Sequence, residues 1–132
     1  MSIEGRITVD ALFHDKDGTA SLKVLSLDKS TAYSTGKVAV YTGVLGTNSV
    51  AINPATGGYR DASGSVVSIS SLLRFAFVAG KRCVIEVASE NTLLWAEANQ
   101  AVVSNTEQGV DQLTITPNAA GTATYTLVLY GT

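Results

Sequence analysis

The chain has 132 residues, 45% of them hydrophobic, and a formal net charge of −2. That is enough for one domain with a buried core, and it leaves no basic surplus to neutralise nucleic-acid phosphates or an anionic membrane surface, so neither partner is expected. Only 15% of the residues are charged, against about 25% in an average chain, a depletion that suits a surface made to meet other protein surfaces.

Residues 3–13 alternate, with Ile3, Ile7, Val9, Ala11 and Phe13 on one parity and Glu4, Arg6, Thr8 and Asp10 on the other. A period of two with one apolar face predicts a half-buried strand. His14 to Thr19 supply turn chemistry, and Asp17-Gly18 is a hairpin signal. A second strand is expected over 20–27. Its phase breaks, because Leu22 and Val24 share one parity while Leu25 and Leu27 share the other. A bulge, or burial on both faces, accounts for such a break. Residues 28–36 are polar and read as a loop.

A third strand is expected over 37–45, with Val38, Val40, Thr42 and Val44 on one face and Ala39 and Tyr41 on the other. Val50 to Ile52 form a short fourth strand that Asn53-Pro54 and Gly57-Gly58 end. Ala55 to Gly64 is the longest stretch without pattern, and such loops often carry contacts. Strands follow at 65–70 and 72–78. The second is apolar on both parities, as in a central strand covered on both sides. Ala79-Gly80-Lys81 then reads as a tight hairpin link to a strand over 82–88, where Cys83, Ile85 and Val87 alternate with Arg82 and Glu86. Residues 91–103 read as two short strands in preference to a helix capped by Thr92. Gln112 to Thr116 and Thr122 to Tyr130 are the last strands, with Pro117 to Gly121 as the turn between them.

The total is eight to ten short antiparallel strands with no βαβ pattern. That predicts a single all-β domain over 1–132, a β-sandwich or jelly-roll-like barrel. Strand order is not set at this level, and jelly roll, Ig-like sandwich and barrel all fit the spacing. The opening residues have no apolar h-region and no small-residue cleavage site, so a secretory signal is not expected and synthesis in the cytoplasm is. The longest apolar stretch, near Leu72 to Val78, is too short to span a bilayer and contains Arg74.

Residues that carry chemistry are few. His14 is the only histidine and Cys83 the only cysteine, too little for a zinc site or an internal disulfide. Cys83 lies in an apolar run and reads as a small buried hydrophobe. His14 sits beside a turn, and no Gly-x-Ser-x-Gly elbow supplies a nucleophile for it. Asp15 and Asp17 before Gly18 hint at calcium, but the first and twelfth positions of the loop would be Phe13 and Val24. Asp61, Glu86, Glu90 and Glu97 could converge as a carboxylate pair, yet nothing marks two of them. No cofactor is expected, and neither is enzymatic activity. Trp95, Tyr59, Tyr33 and Tyr41 are the aromatics available for a sugar platform.

A protein that is mostly interface accounts for low charge, hydroxyl-rich strands and the lack of a site. The opening Ser2-Ile3-Glu4-Gly5-Arg6-Ile7-Thr8-Val9-Asp10, the Thr/Gly/Ala/Val-rich strands, and the run from Ala119 through Tyr125-Thr126-Leu127-Val128 to Thr132 carry a resemblance. Over its full length the chain resembles small structural proteins of tailed bacteriophages. It is most similar to capsid decoration (cement) proteins, with tail-tube and head–tail connector components as the nearest alternatives. The resemblance implies a homotrimer on the capsid surface of the virion, bound to the lattice of the major capsid protein. Contacts are then expected from the first strand, at Ile3 and Arg6, and from the 55–64 loop, at Tyr59, Arg60 and Asp61. Arg and Tyr are residue types enriched at binding hot spots, although a plain surface loop has the same look. A carbohydrate-binding β-sandwich module is the other class of function the composition allows.

Overall fold

The computed structural model describes residues 3–14, 21–33, 36–87 and 92–132, with side chains from residue 36 onward except at 105, 107 and 108. Every regular element among them is a strand: β1 (Ile3–His14), β2 (Ser21–Tyr33), β3 (Lys37–Leu45), β4 (Val50–Ile52), β5 (Leu72–Ala79), β6 (Cys83–Val87), β7 (Thr92–Ala96), β8 (Val102–Val110), β9 (Leu113–Pro117) and β10 (Ala123–Gly131). The chain divides into two compact units, Met1–Thr35 and Gly36–Thr132.

In the first unit β1 and β2 form an antiparallel ribbon from Ile3↔Tyr33 to His14↔Ser21. The polar segment after residue 28, expected as a loop, continues β2 as far as Tyr33. The expected turn at 14–19 lies outside the described residues beyond His14. The register explains the broken phase. Ala11 pairs with Leu25 and Leu12 with Lys23, so Val24 is the extra residue of a bulge. Cross-strand partners share a face of a sheet. The bulge therefore puts Leu22, Leu25 and Leu27 on the face that carries Phe13, Ala11 and Val9, and restores one apolar side to the ribbon.

The second unit is a sandwich of two four-stranded antiparallel sheets, ordered β3-β10-β5-β8 and β4-β9-β6-β7. Its pairings nest: β3 with β10, β4 with β9, β5 with β8, and β6 with β7. This is one long hairpin with its tip between β6 and β7. The pairings β5–β10 and β6–β9 roll it closed. That connectivity is the eight-stranded jelly roll.

Two local expectations change. The link Gly80-Lys81-Arg82 does not make a hairpin, because β5 and β6 belong to different sheets and the link crosses between them. Residues 65–70 form no strand. Val66 makes a single bridge to Arg60, and Arg60 makes one to Val40, so the segment only fringes the β3 edge. The two-sided apolar pattern of 72–78 has two sources. β5 is central, between β10 and β8. In addition, Leu73 is an extra residue between Leu72 and Arg74, so Leu72 and Phe75 are both buried.

The core alternates along each strand. Phe75, Phe77, Leu127 and Leu129 from one sheet meet Ile85, Val87, Leu113 and Ile115 from the other, all buried. Burying each such side chain stabilises the fold by about 1.5–3 kcal/mol. Gly43 has a specific job there: a Cβ on it would lie 2.7 Å from the ring of Tyr125 on β10. Tyr125 is thus seated over a gap in β3, edge-on to Tyr41 with ring centres 5.9 Å apart, and Tyr41 stands edge-on to Tyr59 at 5.2 Å.

Burial pushes the Tyr125 phenol up to about 12, with smaller contributions from Tyr41 and Tyr59. Its proton is lost near 10 in the unfolded chain. Below that value both states keep the proton and the contribution to stability is whole. Between the two values only the unfolded chain loses it, so stability falls with rising pH. The expected loss is about 2 kcal/mol across that window. Urea midpoints on either side of it check this, and a Tyr125→Phe protein with the same alkaline loss would show the attribution to be mistaken.

Candidate interaction surfaces

The residues expected to make contacts have different fates. Ile3 and Arg6 are register partners of Tyr33 and Ser30, and their odd and even positions put them on opposite faces of the ribbon. Their side chains are outside the described residues. Tyr59 is buried at 8% exposure against Tyr41, so it serves as part of the core. Asp61 builds a turn. Its Oδ1 accepts from the Ser63 hydroxyl at 2.6 Å and from the backbone N–H groups of Ser63 and Ser65 at 2.9 and 3.0 Å. These donors, the Ser63 hydroxyl first, hold the carboxyl below its usual range. Gly64 closes the turn at a φ of 85°, which favours glycine.

Arg60 is exposed, and the structure gives it company that the sequence did not show. Its guanidinium donates to the Gly64 carbonyl at 2.6 Å. Through the bridges and the sheet register, Val66, Arg60, Val40, Val128, Ala76 and Val103 form one row across the outward face of the β3-β10-β5-β8 sheet. Val66 is 58% exposed, Val40 48% and Val103 45%. Val44, further along β3, is also exposed. The Thr42 and Thr126 hydroxyls lie 3.4 Å apart on the same face. An apolar and hydroxylated strip results, with Arg60 in the row itself and Arg74 two residues from Ala76 on the same parity of β5.

The reason the valines face out lies across the sheet. On β3 the inward parity carries Ala39, Tyr41, Gly43 and Leu45, and Gly43 is the gap that admits Tyr125. Gly43 is therefore needed on the inward parity, and the valines of the other parity are left outside. Nothing local in β3 signals this. Rows of exposed β-branched residues on a sheet face mark contact surfaces more often than scattered ones do.

A second surface lies on the other sheet, at its edge strand β7. Leu93 and Trp95 point outward there and are 60% and 51% exposed. The Arg82 guanidinium carbon sits 4.2 Å from the centre of the Trp95 ring. Glu97 accepts from Arg82 Nε at 2.9 Å. This exposed ion pair adds little stability but holds the guanidinium over the indole. Trp and Arg together are a frequent pair of anchors in binding sites. Of the aromatics named for a sugar platform, Tyr41 and Tyr59 do not lie flat together, their rings standing at 73°, and the side chain of Tyr33 is outside the described residues.

Other features are structural. Cys83 is buried, and burial pushes its thiol up against a weaker opposing pull from Lys81. Lys81 is buried too, and donates to the carbonyls of Gly46, Ala119 and Gly121. Among the described residues no group of three or more His, Cys, Asp or Glu is placed to hold a metal ion. Among the described residues no helix is long and apolar enough to cross a membrane. No family model, curated protein or solved structure matches the chain.

Proposed function

We propose that this protein is a non-enzymatic structural component of a tailed-bacteriophage virion, a capsid decoration protein that binds the assembled head and stabilises it. It is made in the host cytoplasm and works on the capsid surface. The observation that carries the reading is the outward row from Val66 to Val103, which crosses all four strands of one sheet and in which Arg60 carries the charge. The jelly roll is compatible with it but does not choose, because the same fold serves viral shells, lectins and cupins. Mechanistically, a protein that binds only the expanded lattice stabilises that lattice by mass action. No reaction and no cofactor are needed.

The test uses expanded heads stripped of this protein and titrated with it. Val40→Lys puts a charge at the centre of the row, at a position already exposed to solvent. Affinity for heads should fall at least about tenfold, or about 1.4 kcal/mol. The melting temperature should stay within the range of an ordinary surface change. Unchanged affinity would remove the row as the docking face, and absence of binding by the parent protein would remove the decoration reading. A mass of about six copies in a closed ring would favour a tail or connector part instead.

A second reading, a carbohydrate-binding module, is favoured by Trp95 alone. Half-exposed and backed by Arg82, it is a possible platform on a fold shared with lectins. Its fluorescence would then shift on titration with the sugars of a host surface.

A further inference from the structure

Trp95 is the only tryptophan of the chain and stands half-exposed on the edge strand β7. The sheet register places its neighbours. Trp95 pairs with Val84 on β6, and Val84 pairs with Thr116 on β9. The Thr116 hydroxyl lies 3.0 Å from that of Ser49, just before β4. Trp95, Val84, Thr116 and Ser49 therefore make one row across the outward face of the sheet. It covers three strand spacings, about 14 Å.

Planar polar groups gather beside the row, where the sheet meets its loops. Glu97 follows β7, Arg82 precedes β6 and Asn118 follows β9. The Asn118 N–H donates to the Arg82 carbonyl at 2.9 Å, and Arg82 Nε donates to Glu97 at 2.9 Å. The second bond uses one of the five N–H donors of a guanidinium and one oxygen of the carboxylate. The backbone under this corner is fixed. Lys81, next to Arg82, is bound by three carbonyls, and the Asn99 N–H donates to the Ala79 carbonyl at 2.7 Å. Polar groups held this way lose less entropy on binding than groups on a loose loop.

We infer that this corner is a binding site for a neutral oligosaccharide. Trp95 is the stacking platform, Arg82, Glu97 and Asn118 are the hydrogen-bonding groups, and the row from Val84 to Ser49 is the floor along which the sugar chain continues. The inference rests on the carbohydrate reading and deepens it, and it does not depend on a role at the capsid.

Three observations commit the corner to that ligand. The first is the pairing of surfaces. A pyranose ring has an apolar C–H face and a rim of hydroxyls that both donate and accept. The indole supplies apolar surface, since Trp95 keeps 51% exposure with Arg82 over it. Arg82 supplies donors and Glu97 acceptors within one hydrogen bond of each other. The second is charge. Arg82, Glu86 and Glu97 are the charged side chains described on this face and corner, a net −1 that opposes a phosphate, a sulfate or an acidic sugar. The third is the floor. An apolar protein surface laid on it would take the Arg82–Glu97 pair and the Thr116 and Ser49 hydroxyls out of water with nothing in return, whereas sugar hydroxyls replace that water.

The full-length protein is titrated with neutral trisaccharides of glucose, mannose and N-acetylglucosamine, and with the trisaccharide of galacturonic acid as the acidic control. Calorimetry measures binding, and fluorescence locates it, because every photon of tryptophan emission comes from Trp95. At least one neutral trisaccharide should bind with a Kd of about 1 mM or tighter and shift the emission, and the acidic one should not. Trp95→Ala should abolish the heat of binding. Arg82→Lys keeps the charge but loses the planar fork, and should weaken binding about tenfold. Both positions are exposed, so both variants should melt as the parent does.

Sugar binding that leaves the emission and both variants unchanged keeps the carbohydrate reading and overturns this site. A preference for the acidic trisaccharide overturns the neutral ligand. No binding of any trisaccharide overturns the site and the carbohydrate reading together. If Trp95→Ala then also loses affinity for stripped heads, the corner belongs to the shell contact instead.

Discussion

Phe77→Ala is expected to lower the folding free energy by about 4 kcal/mol, read as a drop in urea midpoint at unchanged slope. Phe77 is 1% exposed and sits on the middle of β5, a central strand paired on both sides, with Leu127 opposite on β10 and Val102 opposite on β8. Its ring lies 5.9 Å from that of Tyr125, tilted by 35°. Truncation removes one of the largest side chains of the inner layer and leaves a cavity, and the two sheets cannot collapse to fill it without shifting both seams of the roll. Val78→Ala, one residue further and on the outward face, should cost about 1 kcal/mol or less. Similar losses at the two positions would mean that β5 does not have the inward face described.

Lys81→Met is the second large effect, about 3 kcal/mol. Lys81 is 6% exposed, and its ammonium donates to the Gly46 carbonyl, to Gly121 at 2.7 Å and to Ala119 at 3.3 Å. Gly46 lies just after β3 in the link to β4, and Ala119 and Gly121 lie in the connection from β9 to β10, so one charge ties these two passages between the sheets to a third. Methionine keeps much of the stem but donates nothing. The carbonyls must then find water or go unpaired. Amide exchange should quicken around 46–49 and 118–121 and stay slow in the β6–β9 seam. A uniform loss across the sandwich would argue against a local tie.

Much of this architecture is written in alternation. β3 and β10 can be placed from period two almost to the residue, and the all-β class follows. The two phase breaks, at Leu22 to Leu27 and at Leu72 to Phe75, are visible too. Their cause is not, because a bulge and two-sided burial leave the same parity pattern. The register at Val24 and Leu73 decides between them. Partner choice is less legible still. A two- or three-residue link such as Gly80-Lys81-Arg82 serves a hairpin and a sheet crossing equally well, and only the distant partners β10 and β9 separate them. The surface follows the same rule. Arg60 could be picked as an exposed loop arginine. Tyr59 beside it could not be known as buried without Tyr41. The outward valines of β3 depend on a glycine–tyrosine fit between residues 43 and 125.

The nesting of the strand pairs also sets a timetable. Gly131 is the register partner of Lys37, so the outermost pair of the roll joins nearly opposite ends of the second unit. On a ribosome, β3 emerges early and must wait, its valine row and its unpaired edge exposed, until β10 has been made to zip in between it and β5. The ribbon has no such delay. Its strands are neighbours in sequence, and hairpins of this kind close in microseconds. The two units are therefore completed on different schedules, the ribbon from neighbouring strands and the roll only once its last strand is made.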